Sequence, residues 1–211
     1  MQKNLPVTGR QVLIFDYGNV ISGPQNKECI QRISQKLGLK NTEEFKSLYL
    51  IHRKDIDSGL ISLKEYWART VKAINLSLSG EDLDWLAQED IKSWADINED
   101  TIGLIRELKK ERYRLAILSN MVTETLDYLK KNTSFIDYFD HCFFSCEINM
   151  IKPNTELYQY VLKEMGAHPR DCIFIDDIPA NCEAAEQLGM HAIRFADVQN
   201  LRIELDKMLA A

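Results

Sequence analysis

Two short stretches decide the reading of this chain: VLIFD at residues 12–16 and CIFID at residues 172–176, the second followed at once by Asp177. Each is an apolar, β-rich run that ends on a carboxylate. Such a run, bounded by polar or turn residues, reads as a strand buried on both faces of a parallel sheet. The residue that ends it then lies at the carboxyl edge of the sheet, where open α/β folds place their chemistry. Asp16, Asp176 and Asp177 would repel one another at that edge unless a cation neutralised them, and hard oxygen ligands suit Mg²⁺.

From residue 114 onward, strands and helices alternate. RLAILS (114–119) is a strand, 121–132 a helix and CFFS (142–145) a strand. A helix over 154–165, the strand CIFID, a helix over 179–188, the strand HAIRF (191–195) and a helix over 198–209 complete the series. This rhythm predicts βαβ units and a doubly wound parallel sheet. The stretch between the first strand and residue 114 breaks it. Helices are expected there at 25–38, 42–54, 62–75, 80–94 and 99–111, in a connection far longer than the usual dozen or so residues. We read 22–96 as an inserted helical cap and residues 1–21 with 97–211 as the α/β core. Ser62 with Glu65 forms the stronger capping signal, Ser79 with Asp82 a weaker one, and Gly59 separates the second cap helix from the third. Trp67, Trp85 and Trp94 all lie in the insert, where a small core needs bulky side chains.

Bulk properties bound the function. The 211 residues suffice for a large core or a core with an insertion, and 45% hydrophobic with 27% charged residues is an ordinary globular balance. A net charge of −6 argues against nucleic acid as partner. The pairs Lys109-Lys110 and Lys130-Lys131 read as solvated helix ends. No apolar run approaches the roughly 18 residues of a membrane span, and the start MQKNLPVTGR lacks the apolar stretch of a leader. The five cysteines are scattered; Cys142 and Cys146 would share one face of a strand beside His141, but buried reduced thiols are the plainer reading. A cytoplasmic protein is expected.

Four features fall at successive strand ends: Asp16, Ser119-Asn120, Lys152-Pro153 and Asp176-Asp177. A phosphate ester would give each a task. A carboxylate can attack phosphorus and form an acyl phosphate. Phosphoryl oxygens need orientation and charge compensation, which a hydroxyl near a helix start and a lysine supply. Asp177 would hold Mg²⁺ opposite Asp16, and Pro153 suits a helix start.

In order, FDYGNVI (15–21), LAILSN (115–120), IKP (151–153) and FIDDIPANCEAAEQLG (174–189) resemble motifs I to IV of the haloacid dehalogenase (HAD) superfamily, over about residues 11–195, with a C1-type cap. The wording is nearest to the α-glucose-1-phosphate phosphatases and the phosphatase domain of soluble epoxide hydrolase. The resemblance implies Asp16 as nucleophile, Ser119 as the motif II hydroxyl, Lys152 as the motif III lysine and Asp177 as a magnesium ligand. Asp176 and the carbonyl of Gly18 would complete the metal site, with Asn120 and Asn181 near phosphate or metal-bound water. It implies a small phosphorylated metabolite, in particular a sugar phosphate, as substrate.

One departure stands out. Most HAD phosphatases carry a second Asp two residues after the nucleophile as general acid and base, and here that position is Gly18. Loss of such a group commonly costs about 10²- to 10⁴-fold, so a low-activity or inactive phosphate-binding protein is the alternative reading. A 2-haloacid dehalogenase is disfavoured, because a metal-free site for a carboxylate substrate has no use for Asp176-Asp177. From the cap, His52, Arg53 and Asp55 are the candidates to touch substrate; Tyr17, beside the nucleophile, is a further one.

Overall fold

The computed structural model describes residues 11–209; the opening decapeptide, read above for a leader, lies outside the described residues. Five parallel strands form the sheet: β1 (Val12–Phe15), β2 (Arg114–Ser119), β3 (His141–Phe144), β4 (Cys172–Asp176) and β5 (His191–Arg194), in the order β3-β2-β1-β4-β5. Strand β1 is central, with Phe15 paired to Ile117 on one side and Ile175 on the other. Side chains alternate between two layers, which explains the continuous apolar runs. Leu13, Phe15, Leu115, Ile117, Ile173 and Ile175 enter one cluster, packed by helices α6 (Glu99–Lys110), α7 (Thr123–Asn132) and α11 (Val198–Leu209). Val12, Ile14, Ala116, Leu118, Cys172 and Phe174 enter the other, beneath α9 (Thr155–Met165) and α10 (Pro179–Gln187). This is the doubly wound α/β fold expected. The lysine pairs do close α6 and α7, where Lys109 and Lys130 pair with Asp140 and Glu147.

Between β1 and β2 stands the helical insert: α1 (Lys27–Leu37), α2 (Thr42–Tyr49), α3 (Arg53–Asp57), α4 (Leu63–Ala73) and α5 (Gly80–Ser93). They share a third cluster built on Ile33, Phe45, Tyr66, Trp67 and Leu86, to which the core contributes Val122. The chain enters and leaves the insert side by side. Ser22 and Ile97 form an antiparallel bridge, the N–H of Gly23 donates to the carbonyl of Asp96, and that of Asn98 to Ile21.

Four local expectations are corrected. The helix expected over 42–54 divides into α2 and α3: the N–H groups of Ile51 and Arg53 donate to carbonyls three residues back, on Leu48 and Leu50, and the Tyr66 hydroxyl donates to the Tyr49 carbonyl at 2.5 Å. That carbonyl is the acceptor the Arg53 N–H would need to continue the helix. The strand expected over 142–145 ends at Phe144; Ser145 opens the short helix α8 (Ser145–Ile148), so Cys142 and Cys146 do not share a strand face. Pro153 does not start α9: Asn154 caps it by accepting the N–H of Glu156, and Lys152-Pro153 stands before it in a loop. The capping signals also exchange rank. Ser62 accepts the Glu65 N–H, but Glu65 turns to Arg69, whereas Ser79 and Asp82 form the full reciprocal box.

Insert and core are pinned at α8. The Ser145 hydroxyl donates to the carbonyl of Asp57, and the Asn149 amide to that of Ser58 at 2.8 Å. Gly59 lies so close that a Cβ there would come within 2.5 Å of the Cys146 carbonyl oxygen, and its φ of +71° suits glycine.

Candidate active site

Strand β1 delivers Asp16 to the carboxyl edge of the sheet, β2 delivers Ser119, and β4 delivers Asp176 with Asp177 directly behind it. Lys152 rises from its loop between these carboxylates and is 3% exposed. Its Nζ lies 2.7 Å from Asp16 Oδ1 and 2.6 Å from Asp176 Oδ2. Two buried carboxylates thus share one buried ammonium, which leaves one negative charge for a further cation to compensate. Burial pushes the Asp16 carboxyl up to about 6; Lys152 opposes this and the neighbouring Asp176 adds to it. Burial works to lower the Lys152 ammonium, but the two carboxylates outweigh it and hold Lys152 above its ordinary value. The site lysine is therefore a fixed cation.

Three asparagines hold this frame. Asn181 donates its amide to both Asp176 oxygens at 3.0 Å, and the N–H of Ile178 donates to Asp176 Oδ1 at 2.9 Å. Asn120 clasps the backbone of Lys152, donating to its carbonyl at 3.0 Å and accepting its N–H at 2.8 Å. Both side chains were expected near phosphate or metal-bound water; both stand at this edge, where they also position charged residues. Asn19 was missed by sequence reasoning. It adopts a positive φ of 56° in the turn after β1 and donates to Asp177 Oδ2 at 2.9 Å. The readable signal was an Asn in a tight turn, a residue type that tolerates that conformation.

Asp16, Asp176 and Asp177 each offer a carboxylate oxygen, all within 4.8 Å of one another. An all-oxygen, all-anionic donor set of this size fits a hard divalent cation. Among the described residues no comparable group forms around His141, Cys142 and Cys146. Burial and the nearby Asp176 raise the Asp177 carboxyl, and the Asn19 amide works against them.

Beside this cluster opens a cavity of about 70 Å³, lined by Tyr17, Gly18, Arg53, Trp94, Asn120, Met121, Val122 and Thr125. Tyr17 is fixed by packing: its hydroxyl donates to the Trp94 carbonyl at 2.6 Å and its ring stacks on Phe135. Gly18 has φ −62°, open to any residue, and a Cβ there would meet the Trp94 ring at 3.7 Å and Asp16 Oδ2 at 3.9 Å. A longer acidic side chain at this position would have to share its space with that indole. Trp94 therefore belongs to the site wall, while Trp67 belongs to the insert's core. From the insert, Arg53 reaches the cavity. His52 precedes α3 and is not among the lining residues, and Asp55 faces Arg69 at the surface.

A model of haloacid dehalogenase-like hydrolases matches residues 11–189, most of the chain. The chain belongs to this HAD-like hydrolase family. It is similar to D-ribitol-5-phosphate phosphatase of Bacteroides thetaiotaomicron, 22% identical over 93% of this chain and 97% of that protein. It is 28% identical to bifunctional epoxide hydrolase 2 of Rattus norvegicus over 53% of this chain, and 26% identical to flavin mononucleotide hydrolase 1 of Arabidopsis thaliana over 73%. The matched parts span 21% and 60% of those two proteins. Among solved structures, a HAD-family enzyme of Bacteroides thetaiotaomicron in complex with magnesium and inorganic phosphate superposes with a TM-score of 0.72 at 26% identity, covering 92% of this chain and 99% of that one. An L-2-haloacid dehalogenase of Xanthobacter autotrophicus shares the fold at 18% identity and a TM-score of 0.64, covering 93% of this chain and 82% of that one. The relatives span several activities, so they carry the superfamily resemblance and no single branch of it.

Proposed function

We propose that this HAD-like hydrolase is a Mg²⁺-dependent phosphomonoesterase acting on a small phosphorylated metabolite, in the class of sugar phosphates, through an aspartyl-phosphate on Asp16. The convergence of Asp16, Lys152, Asp176 and Asp177 at one sheet edge carries this reading. Asp16, Asp176 and Asp177 would hold Mg²⁺, with the Gly18 carbonyl as a further ligand. The ion supplies charge compensation for the phosphoryl oxygens and for the crowded carboxylates. The Asp16 carboxylate attacks phosphorus, the ester P–O bond breaks, and the leaving oxygen keeps the electron pair and takes its proton from solvent. Water then attacks phosphorus of the aspartyl-phosphate and releases inorganic phosphate. Ser119 orients a phosphoryl oxygen, and Lys152 fixes the nucleophile while neutralising its partner Asp176. The insert over 22–96 acts as the cap that closes over the substrate. A magnesium-and-phosphate complex of a relative supports the metal and the chemistry, and phosphatase relatives support the substrate class. No helix among the described residues is long and apolar enough to cross a membrane.

The rival is a protein that binds phosphate without turning it over, and Gly18 is the observation that favours it. Phosphate release from an aryl phosphate and a sugar-phosphate panel, with Mg²⁺ or EDTA, separates the two. Mg²⁺-dependent release that falls about 10⁴-fold or more in Asp16→Asn, with the fold intact, is the expected result. No release from any ester by the folded, Mg²⁺-loaded protein would leave the binding reading standing.

A further inference from the structure

One buried side chain outside the charged cluster is bonded both to the insert and to the loop that follows Ser119. Ser145 opens α8 at the carboxyl edge of the sheet, directly after β3, and is fully buried. Its hydroxyl donates to the carbonyl of Asp57 on the insert. The same oxygen accepts the N–H of Met121 at 2.8 Å. A hydroxyl has one proton to donate and lone pairs to accept with, so both bonds form at once. The Met121 N–H belongs to the peptide unit that joins Asn120 to Met121. The carbonyl of that unit accepts the Ser119 hydroxyl at 3.3 Å, and so sets where the hydroxyl stands before a phosphoryl oxygen draws it. The unit is trans and rigid, its N–H and C=O pointing in opposite directions, so that holding one end orients the other. From its first Cα springs the Asn120 side chain, which clasps the backbone of Lys152 through two hydrogen bonds.

Two other side chains tie the insert to the core. Asn149 donates to the Ser58 carbonyl at 2.8 Å, and Glu124 accepts the Leu63 N–H at 2.8 Å. Among the described residues, neither side chain is also bonded to the Asn120–Met121 peptide. Ser145 alone of these three joins the insert to that unit. With the Asp57 carbonyl in place, the hydroxyl proton is committed to the insert and a lone pair is left facing Met121. Without it, the buried proton loses its acceptor and the hydroxyl is free to turn, which loosens its hold on the Met121 N–H. We propose that Ser145 is a positioning residue, through which docking of the insert fixes the peptide that aims the Ser119 hydroxyl and the Asn120 clasp on Lys152. This rests on the phosphatase reading above for the tasks of Ser119 and Lys152, and on the two Ser145 hydrogen bonds for the coupling. Ser145 touches no reacting atom; it converts contact made by the insert into order at the phosphoryl-binding edge.

The test removes the hydroxyl and compares that loss with the loss of a tie that lacks the second bond. Ser145→Ala deprives both the Met121 N–H and the Asp57 carbonyl of this partner. Asn149→Gly deletes the bond to Ser58 and suits the backbone, because Asn149 has a φ of 59°. With Mg²⁺ and an aryl phosphate, Ser145→Ala should lower kcat by about 10²-fold, the scale of a misplaced site group. Competitive inhibition by inorganic phosphate should weaken by about 10-fold, as for one misaligned hydrogen bond. Asn149→Gly should leave both quantities nearly unchanged. A purely structural defect lowers kcat by shrinking the folded fraction and leaves the inhibition constant where it was. Ser145→Cys keeps a weak donor and acceptor at similar volume; it should fall between native and Ser145→Ala, and it carries the test if the latter does not fold. Equal effects of the Ser145 and Asn149 variants, or an inhibition constant unmoved in a folded Ser145 variant, would overturn the inference and leave the phosphatase reading standing. Calorimetric binding of inorganic phosphate to the Mg²⁺-loaded proteins covers the case in which the native protein cleaves no ester. Weaker binding by Ser145→Ala would then keep the positioning role and sink the phosphatase reading. Equal binding by the two, or none by the native protein, sinks both.

Discussion

Two buried clusters of charge lie within one molecule, and they are built to opposite ends. At the sheet edge, one lysine is shared by Asp16 and Asp176, a third carboxylate stands alongside, and backbone and asparagine donors hold Asp176 and Asp177 in place. In the insert, Arg53 pairs with Asp57 and lies over the Tyr49 ring, and the Tyr49 hydroxyl donates to the buried Asp90. The first cluster carries excess negative charge with oxygens close enough to meet on one cation. The second closes on itself, its one unpaired guanidinium nitrogen buried without a hydrogen-bond partner among the described residues. Similar residues thus make one cluster in which carboxylate oxygens converge, and another in which charge is answered within the insert itself.

Breaking the shared lysine tests the first half of that contrast most severely. Lys152→Gln leaves two carboxylates buried without their counter-ion, and a loss of about 3–5 kcal/mol in denaturant unfolding is expected. A small change would mean that the carboxylates do not rely on the lysine. The attachment between the two regions comes next. Gly59→Ala puts a Cβ against the Cys146 carbonyl at a positive φ, with a fall in unfolding free energy of about 2–3 kcal/mol expected. Its melting temperature would decide, an unchanged value showing that insert and core part easily at α8.

Asp90 sharpens the second half through pH. Burial raises its carboxyl to about 6 from an ordinary 3.8, with Arg53 and Tyr49 opposing. Between those values the folded state binds more protons than the unfolded chain, so this group's contribution to stability falls as pH rises from about 4 to about 6, then levels off. The full swing is of order 3 kcal/mol. Subtracting the stability profile of Asp90→Asn from that of the native protein should reveal a decline in that window; a flat difference would show a carboxylate already compensated. Gly18→Ala should change least, within about 0.5 kcal/mol, because its φ is ordinary and its new contacts are of van der Waals length. A large loss there would mean that Trp94 presses on the nucleophile loop harder than the distances indicate.

The sheet and the carboxylates at its edge were legible because their signal is local: an apolar run followed by an acid needs no knowledge of the rest of the chain. Lys152 was legible by its order among the motifs. What escaped depends on contacts between distant segments. Where α2 gives way to α3, a hydroxyl reaches back from Tyr66 to the Tyr49 carbonyl. Asn120 and Asn181 were placed at the correct edge, but only the fold shows that their amides serve Lys152 and Asp176. Arg53 was a candidate among neighbours; nothing in its local sequence tells that Tyr49, Tyr66 and Asp90 gather round it while His52 stays outside the cavity lining. Trp94 read as one of three similar tryptophans, and only the return of the chain beside Ser22 sets it over Gly18.

That return has a consequence for how such a molecule can change over generations. Because Ser22 and Ile97 are bridged, the ends of the insert meet at the bridge, and the cost of closing so long a connection falls on the insert alone. The sheet meets it as it would meet a hairpin. Lengthening, shortening or rebuilding the helices leaves the strand register untouched, so insert and sheet can be inherited as separate modules.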